Sequence, residues 1–199
     1  MSKSYTGTGD DGTTARFGGN RGSKAGFIPK ISGAIDEANS AVGVARSHLA
    51  EGKSALFGAL NVADRARGLA WLEAVQHSLF RIGADVATPL DQDASVPRIS
   101  EKDTKALEER IDAFDKLLPE LKHFILPSGT PSGAGIHLAR SIVRRAEREL
   151  VEARDHGEKL NDALLPYVNR LSSYLFALAR WVNWRAAAPE IAPLYEEES

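Results

Sequence analysis

The stretch SGAGIHLARSIVRRAERELVEARDHG, residues 132–157, shows the organisation of this chain most clearly. Its apolar residues recur at intervals of three and four, which places them on one face of a helix. They are Ile136, Ala139, Val143, Ala146 and Leu150. Ser132 is positioned to cap the start of this helix, and Gly157 to end it. The spacing therefore predicts a long amphipathic helix that buries one face.

The same periodicity predicts further helices on both sides of this one. They are a first helix that fades at Gly52, a second from near Asp64 to before Pro89, and a third after the capping box Ser100-Glu-Lys-Asp103. A fifth covers about 161–187, and Pro166 either kinks it or marks its true start. No convincing alternating strand appears. Four or five long helices with short connections predict an all-α, antiparallel helix bundle over residues 31–188.

The two ends of the chain differ from the bundle in composition. Residues 1–30 are rich in glycine, and the acidic tail 189–199 is expected to be flexible. Residues 5–14, YTGTGDDGTT, interleave glycine with threonine, so this backbone can turn sharply and offer N–H groups and hydroxyls to an anion. Because such termini are more often disordered, a nucleotide-binding loop needs support from elsewhere in the chain.

That support comes from arginines of the fourth helix. At about 100° per residue, Arg140, Arg144 and Arg148 share one narrow sector with Glu147, whereas Arg145 points elsewhere. Stacked guanidinium groups repel one another and need compensating anions. Either Glu147 and acidic partners neutralise a surface row, or the row binds a polyanion, because guanidinium groups match phosphate oxygens bidentately.

The composition narrows the class of protein. The 199 residues, with 43% hydrophobic and 26% charged side chains, fit one soluble domain. A net charge of −2 argues against a nucleic-acid or membrane-surface binder. The absence of cysteine excludes thiolate metal sites and fits a cytoplasmic setting. The histidines lack HExxH spacing and there is no P-loop motif, so neither a dedicated metal site nor a P-loop is expected.

Taken in order, the motifs of the chain resemble those of the PduO-type ATP:cob(I)alamin adenosyltransferases, from Tyr5 to about Arg180. The motifs are YTxTGDxGT at 5–13, Lys24, IDExN at 35–39, FILPSG at 124–129, HLARxxxRRAER at 137–148, NRLS at 169–172 and LFxLAR at 175–180. The resemblance implies a five-helix bundle that assembles as a homotrimer, with active sites between adjacent subunits.

The resemblance also implies roles for individual residues. The nucleotide would be bound by Thr6, Gly7, Thr8, Gly9, Thr14 and Lys24 from the N-terminal segment, and by Arg144, Arg145, Glu147, Arg148 and Asn169 from the helices. Asp36 and Arg140 match a pair that bridges subunits beside the active site. Phe124 matches the aromatic residue at the lower face of the corrin cobalt. Asp36, Phe124, Arg140 and Arg144 are therefore the expected catalytic residues.

The implied reaction transfers the 5′-deoxyadenosyl group of ATP to cob(I)alamin, with Mg²⁺ on the phosphates. A cob(II)alamin reductase and an adenosylcobalamin-dependent enzyme are the expected partners. Three positions depart from the family pattern: Gly7 replaces a basic residue, Ala38 a leucine and Ser173 an aspartate. These departures favour one alternative, a non-catalytic ATP or corrinoid carrier. A helical interaction module is a second alternative, but it does not explain the N-terminal loop or Lys24.

Overall fold

The computed structural model describes residues 5–15, 21–52, 56–92 and 96–194. Most of them belong to five helices: α1 Phe27–Glu51, α2 Val62–Ala87, α3 Glu101–Leu117, α4 Pro131–Asp155 and α5 Leu164–Arg185. Two three-residue strands, β1 Thr13–Ala15 and β2 Arg21–Ser23, pair antiparallel. The all-α prediction is confirmed for the bundle, and the small hairpin is a correction to the expectation of no strand. No described helix is long and apolar enough to cross a membrane.

Two of the predicted helix starts are confirmed by the local geometry. The Ser100–Asp103 capping box forms at the start of α3, where each side chain accepts a hydrogen bond from the other residue's backbone N–H. Pro166 lies in the first turn of α5, where its missing N–H removes no intrahelical hydrogen bond. Of the two alternatives for Pro166, the structure therefore selects the start of the helix and not a kink.

The start of α4 corrects one prediction. Thr130, not Ser132, is the capping residue, because its hydroxyl accepts a hydrogen bond from the Gly133 N–H at 3.0 Å. Pro131 follows it at the first helical position, where a fixed φ favours the helix. The Ser132 hydroxyl instead donates to the Ala45 carbonyl of α1 at 2.9 Å. A helix cap and an interhelical contact are thus made by different residues.

The helices run alternately up and down. Helix α1 lies between α2 and α4, α5 lies between α4 and α2, and α3 packs beside α5. Polar contacts join the neighbouring helices: Arg46–Glu73 joins α1 to α2, Arg145–Glu37 joins α4 to α1, Asn169–Glu147 joins α5 to α4 and Arg185–Asp64 joins α5 to α2. All five apolar residues predicted for the face of α4 are buried in the common core.

A cluster of aromatic side chains packs between α2, α3 and α5. The Trp71 ring packs edge-on against Trp181, with centroids 4.8 Å apart, and against Phe114 at 5.3 Å. Edge-to-face packing adds to the free energy gained from burial. Both tryptophans therefore serve packing, as the sequence predicted for them.

Candidate functional site

The N-terminal loop is built from two tight turns. The Asp10 N–H donates to the Gly7 carbonyl and the Gly12 N–H to the Gly9 carbonyl, each at 3.2 Å. Gly7 and Gly12 adopt left-handed φ values of 70° and 80°. Because a Cβ atom disfavours this region, glycine at both positions gives the loop its shape. The turns leave the threonine hydroxyls beside one another, with Thr6 Oγ1 2.9 Å from Thr8 Oγ1.

Two cations from β2 and the residues after it hold this loop. Lys24 Nζ donates to the Gly9 carbonyl at 2.7 Å, and the Lys24 N–H donates to the Gly12 carbonyl at 2.9 Å. Arg21 donates from Nε to Thr13 Oγ1 at 2.9 Å and also bonds the Thr8 carbonyl. The structure thus brings Lys24 to the loop that the sequence predicted for the nucleotide. Residues 1–4 and 16–20 of the predicted segment 1–30 lie outside the described residues.

The row of arginines on α4 has few partners. Among the described residues, Arg140, Arg144 and Arg148 make no ion pair, and Arg148 donates only to the Arg144 carbonyl, at 3.2 Å. Glu147 accepts a hydrogen bond from Asn169 Nδ2 at 2.7 Å instead of pairing with the row. In the part of the chain that the structure describes, Glu147 thus forms no ion pair with the row. The row remains a concentrated positive charge.

Arg145 behaves differently from its neighbours, as its predicted direction requires. It forms an ion pair with Glu37 of α1, and the two line a shallow groove of about 570 Å³ between α1 and α4, which Arg148 of the row also lines. Val44 and Leu138 lie on the same groove with 56% and 57% of their surfaces exposed. Asp36, next to Glu37, is exposed, and among the described residues it forms neither a hydrogen bond nor an ion pair with Arg140. The surface between α1 and α4 thus combines an ion pair, a groove and exposed apolar side chains.

Phe124 and Arg140 line one cavity of about 910 Å³. Phe124 keeps 81% of its surface exposed, and the guanidinium carbon of Arg140 lies 5.9 Å from the centroid of Phe176. The Arg140 Nε atom is buried without a hydrogen-bond partner. Burial, followed by the charge of Arg144, lowers the pKa of Arg140. The structure therefore brings two predicted site residues to one cavity, which aromatic and aliphatic side chains line together with Lys122 and His123.

Sequence reasoning assigned no site role to several residues of this cavity. Ala192 and Pro193 form part of its wall from beyond α5, within the predicted tail, whose residues 195–199 lie outside the described part. Phe176 belongs to the second face of α5, which its position near Asn169 could have indicated. No local pattern marks Ala192 or Pro193, because their place depends on how the chain returns to the bundle.

His137 lies one turn before Arg140 and is buried in the same region. Neither of its ring nitrogens has a hydrogen-bond partner, and its ring packs 5.9 Å from that of Phe176. Burial, and then the neighbouring Arg140 charge, lowers the pKa of His137 to about 4. The imidazole is thus neutral near pH 7 and adds no positive charge beside the arginine row.

One chain does not join the two halves of the predicted nucleotide site. In the described segments, no hydrogen bond or ion pair connects residues 6–15 or 21–24 with Arg140, Arg144, Arg145 or Arg148. Groups of three or more His, Asp or Glu side chains that could hold a metal ion are also absent from these segments.

Comparison with known proteins identifies the family. The sequence model named Cobalamin adenosyltransferase matches residues 4–182. The chain belongs to this family. Over 189 residues it is 41% identical to a corrinoid adenosyltransferase of Bacillus subtilis (strain 168), and this match covers 95% of this chain and 91% of that relative. It is 37% identical over 194 residues to corrinoid adenosyltransferase MMAB of Bos taurus, covering 94% of this chain and 74% of the relative.

A solved structure confirms the fold of this family member. A variant PduO-type ATP:corrinoid adenosyltransferase from Lactobacillus reuteri, complexed with cobalamin and ATP, superposes with a TM-score of 0.82. The two chains are 36% identical, and the match covers 98% of this chain and 97% of that one. The predicted family and the predicted helix bundle are both confirmed.

Proposed function

We propose that this protein transfers the 5′-deoxyadenosyl group of ATP to cob(I)alamin, forming adenosylcobalamin and triphosphate. The observation that carries the proposal is the course of α4. One helix lines the Phe124 cavity through Arg140 and continues with Arg144 and Arg148, which have no ion-pair partner among the described residues. A corrin beside a polyphosphate calls for this combination of a cavity with aromatic and aliphatic walls and a row of arginines.

The chemistry explains why arginines are the main requirement. The cobalt of cob(I)alamin is itself the nucleophile, so no side chain has to remove a proton. A cobalt–carbon bond forms at the 5′ carbon of ATP, the bond from that carbon to oxygen breaks, and triphosphate leaves with the electron pair. Negative charge then develops on the triphosphate, where Arg144 and Arg148 would stabilise it. Mg²⁺, held by the phosphate oxygens, would neutralise part of the same charge.

The N-terminal loop would bind the rest of the nucleotide. Thr6, Thr8 and Thr14 offer hydroxyls, Gly7 and Gly9 allow a close approach of the backbone, and Lys24 would move from the Gly9 carbonyl to the phosphates. On the helices, Arg145, Glu147 and Asn169 would border the site, with the Asn169–Glu147 hydrogen bond fixing two of them. This exchange of Lys24 between the loop and the ligand would couple nucleotide binding to loop shape.

We infer that the loop of one subunit meets the arginine row of another in a homotrimer. This is supported by the lack of contacts between the two within a chain and by the exposed Val44 and Leu138 on the α1–α4 groove. The exposed Asp36 would then pair with Arg140 of the adjacent subunit. Such a pair would leave Arg140 beside the cavity and give it an anion that the described residues of its own chain do not provide.

Phe124 would lie against the lower face of the corrin. Its exposed ring would displace the lower axial ligand of cobalt and so remove electron donation to the metal. Reduction of cob(II)alamin to cob(I)alamin would become easier, because the axial ligand sets the potential of such a centre.

We place the protein in the cytoplasm, in line with its lack of cysteine. Its partners would be a cob(II)alamin reductase and an adenosylcobalamin-dependent enzyme.

Anaerobic turnover with chemically reduced cob(I)alamin, ATP and Mg²⁺ tests the proposal by its spectral change to adenosylcobalamin. Product is expected from the wild-type protein and not from Arg144→Ala. Arg154→Ala is the matched control, because Arg154 is an exposed arginine of the same helix that lies near Asp155 and outside the row. ATP binding without any product would favour the carrier instead, with the departures at Gly7 and Ser173 as its basis.

A further inference from the structure

The loop that carries Phe124 is attached to α5 at both of its ends. This loop, residues 118–130, connects α3 to α4 without regular secondary structure. Near its start, Arg180 Nη2 donates to the Pro119 carbonyl at 2.6 Å. At its end, Asn183 Nδ2 donates to the Ser128 carbonyl at 2.8 Å. Arg180 and Asn183 are one helical turn apart, so a single face of α5 holds the loop.

The far attachment is closely fitted. Asn183 Oδ1 accepts hydrogen bonds from the Thr130 N–H at 2.9 Å and from the Thr130 hydroxyl at 3.0 Å. A Cβ atom at Gly129 would lie 2.3 Å from Asn183 Nδ2, and one at Gly133 would lie 2.1 Å from Oδ1. Only glycine fits at both positions without displacing the amide. The end of the loop is therefore fixed by the bundle itself.

The near attachment depends on a charged pair. Arg180 is only 6% exposed, and its Nε and Nη2 atoms bind Glu190 Oε1 and Oε2 at 2.5 and 3.3 Å. Glu190 lies beyond the end of α5, and the next residue, Ile191, accepts a hydrogen bond from the Leu126 N–H at 2.8 Å. One guanidinium group therefore connects two irregular segments. We call Arg180, Glu190 and the Pro119 carbonyl the Arg180 network.

These two segments supply most of the cavity wall. Residues 121–125 come from the Phe124 loop, and Ala192 and Pro193 follow directly after the Glu190–Ile191 contacts. The Phe124 ring itself has little packing around it, since most of its surface is exposed. Its position therefore depends on the backbone of the loop and not on neighbouring side chains.

We propose that Arg180 and Glu190 are positioning residues. They hold the loop so that the Phe124 ring can contact the lower face of the corrin. The inference rests on the proposed function of Phe124. A buried ion pair adds little net stability compared with well-packed apolar residues, but its geometry is strict. The planar guanidinium group sets the separation of the Pro119 carbonyl and Glu190, and so the shape of the cavity between their segments.

The test uses the full-length protein with cob(II)alamin, ATP and Mg²⁺ and no reductant. Electron paramagnetic resonance detects whether an axial nitrogen remains on cobalt, through its hyperfine splitting. Arg180→Met and Glu190→Gln are expected to raise the nitrogen-bound fraction. In a separate turnover assay, in which a chemical reductant is added to cob(II)alamin, they should also lower kcat/KM for the corrin by about 10-fold to about 100-fold. KM for ATP should be unchanged. Small misplacements near a reacting centre have effects of this size.

Arg185→Met is the matched control. Arg185 is a partly buried arginine of the same helix, and its ion pair with Asp64 lies outside the cavity lining. Its loss is expected to lower the melting temperature without changing the cobalt spectrum. If Arg180→Met fails to fold, Glu190→Gln decides the question, because Glu190 is not part of a helix and lies partly exposed.

Phe124→Ala separates failure of this inference from failure of the proposed function. If Phe124→Ala leaves the spectrum unchanged, Phe124 does not face the cobalt and the proposed role fails together with the inference. If Phe124→Ala restores the axial nitrogen but Glu190→Gln and a folded Arg180→Met do not, the inference alone is overturned. A spectral change in all three variants, and none in Arg185→Met, supports both.

Discussion

Replacing His137 by leucine should make the protein more resistant to acid than the wild type. The pKa of His137 falls from about 6.5 in the unfolded chain to about 4 in the folded protein, with burial as the main cause. The unfolded state therefore binds the proton more readily. Folding stability is unaffected by this group above pH 6.5 and decreases as pH falls from 6.5 towards 4.

The size of the effect follows from these two pKa values. At pH 5 almost every unfolded molecule carries the proton and few folded molecules do, which costs the folded state about 2 kcal/mol. His137→Leu removes this cost, because leucine does not titrate. At pH 8 the two proteins should differ only by packing and by the removal of two ring nitrogens that lack hydrogen-bond partners.

Urea denaturation of both proteins from pH 8 to pH 5, at one protein concentration, measures the effect. The quantity of interest is the difference in unfolding free energy between variant and wild type at each pH, because other titrating groups cancel in it. That difference should shift by about 2 kcal/mol in favour of the variant. His77→Leu, at an exposed position of α2, controls for the removal of a histidine. A difference that stays constant with pH would refute the reasoning.

Three further predictions concern other parts of the chain. Asp85→Ala should lower the unfolding free energy by about 3–5 kcal/mol in a chemical denaturation curve, because the fully buried Asp85 carboxylate pairs with Arg98 at 2.8 Å and accepts hydrogen bonds from the Ile99 N–H and Asn161 Nδ2, all of which lose this acceptor; an unchanged midpoint would contradict this. Gly133→Ala should lower stability by about 1–3 kcal/mol in the same assay, since its Cβ would overlap Asn183, and full stability would show that the amide moves freely. Gly7→Arg should lower KM for ATP through a contact with the phosphates, despite a conformational cost of about 1–2 kcal/mol at the positive φ of this position. Steady-state kinetics measure KM, and an unchanged value would mean that residue 7 makes no phosphate contact.

The helices could be predicted because their cause is local. Burying one face of a helix imposes a spacing of three and four, and Ile136 and Val143 are buried where that spacing placed them. The caps are less certain from sequence, because Thr130 and Ser132 have the same chemistry. Pro131 decides between them, since it favours the first helical position and so leaves the capping position to Thr130.

The site could be predicted only in part. The direction of Arg145 follows from helical geometry, and its Glu37 pair agrees with that direction. The glycines and threonines of residues 5–14 indicated an anion-binding loop, but the roles of its individual residues and of Phe124 came from the resemblance, because no period in the sequence marks them. The hairpin could not be predicted because strands of three residues are too short to show an alternating pattern. The Glu190–Arg180 contact could not be predicted because it joins α5 to a segment without regular secondary structure.

The unneutralised arginines of α4 should make this protein sensitive to the anions around it. Arg140, Arg144 and Arg148 repel one another in the free chain, so any multivalent anion that lies along them should raise the melting temperature by mass action. Sulfate or phosphate buffers would then compete with ATP, and added monovalent salt would weaken both. Triphosphate, the leaving group of the reaction, should remain bound to the same row of arginines after the cobalt–carbon bond has formed. We therefore expect the release of triphosphate to limit the rate of repeated turnover.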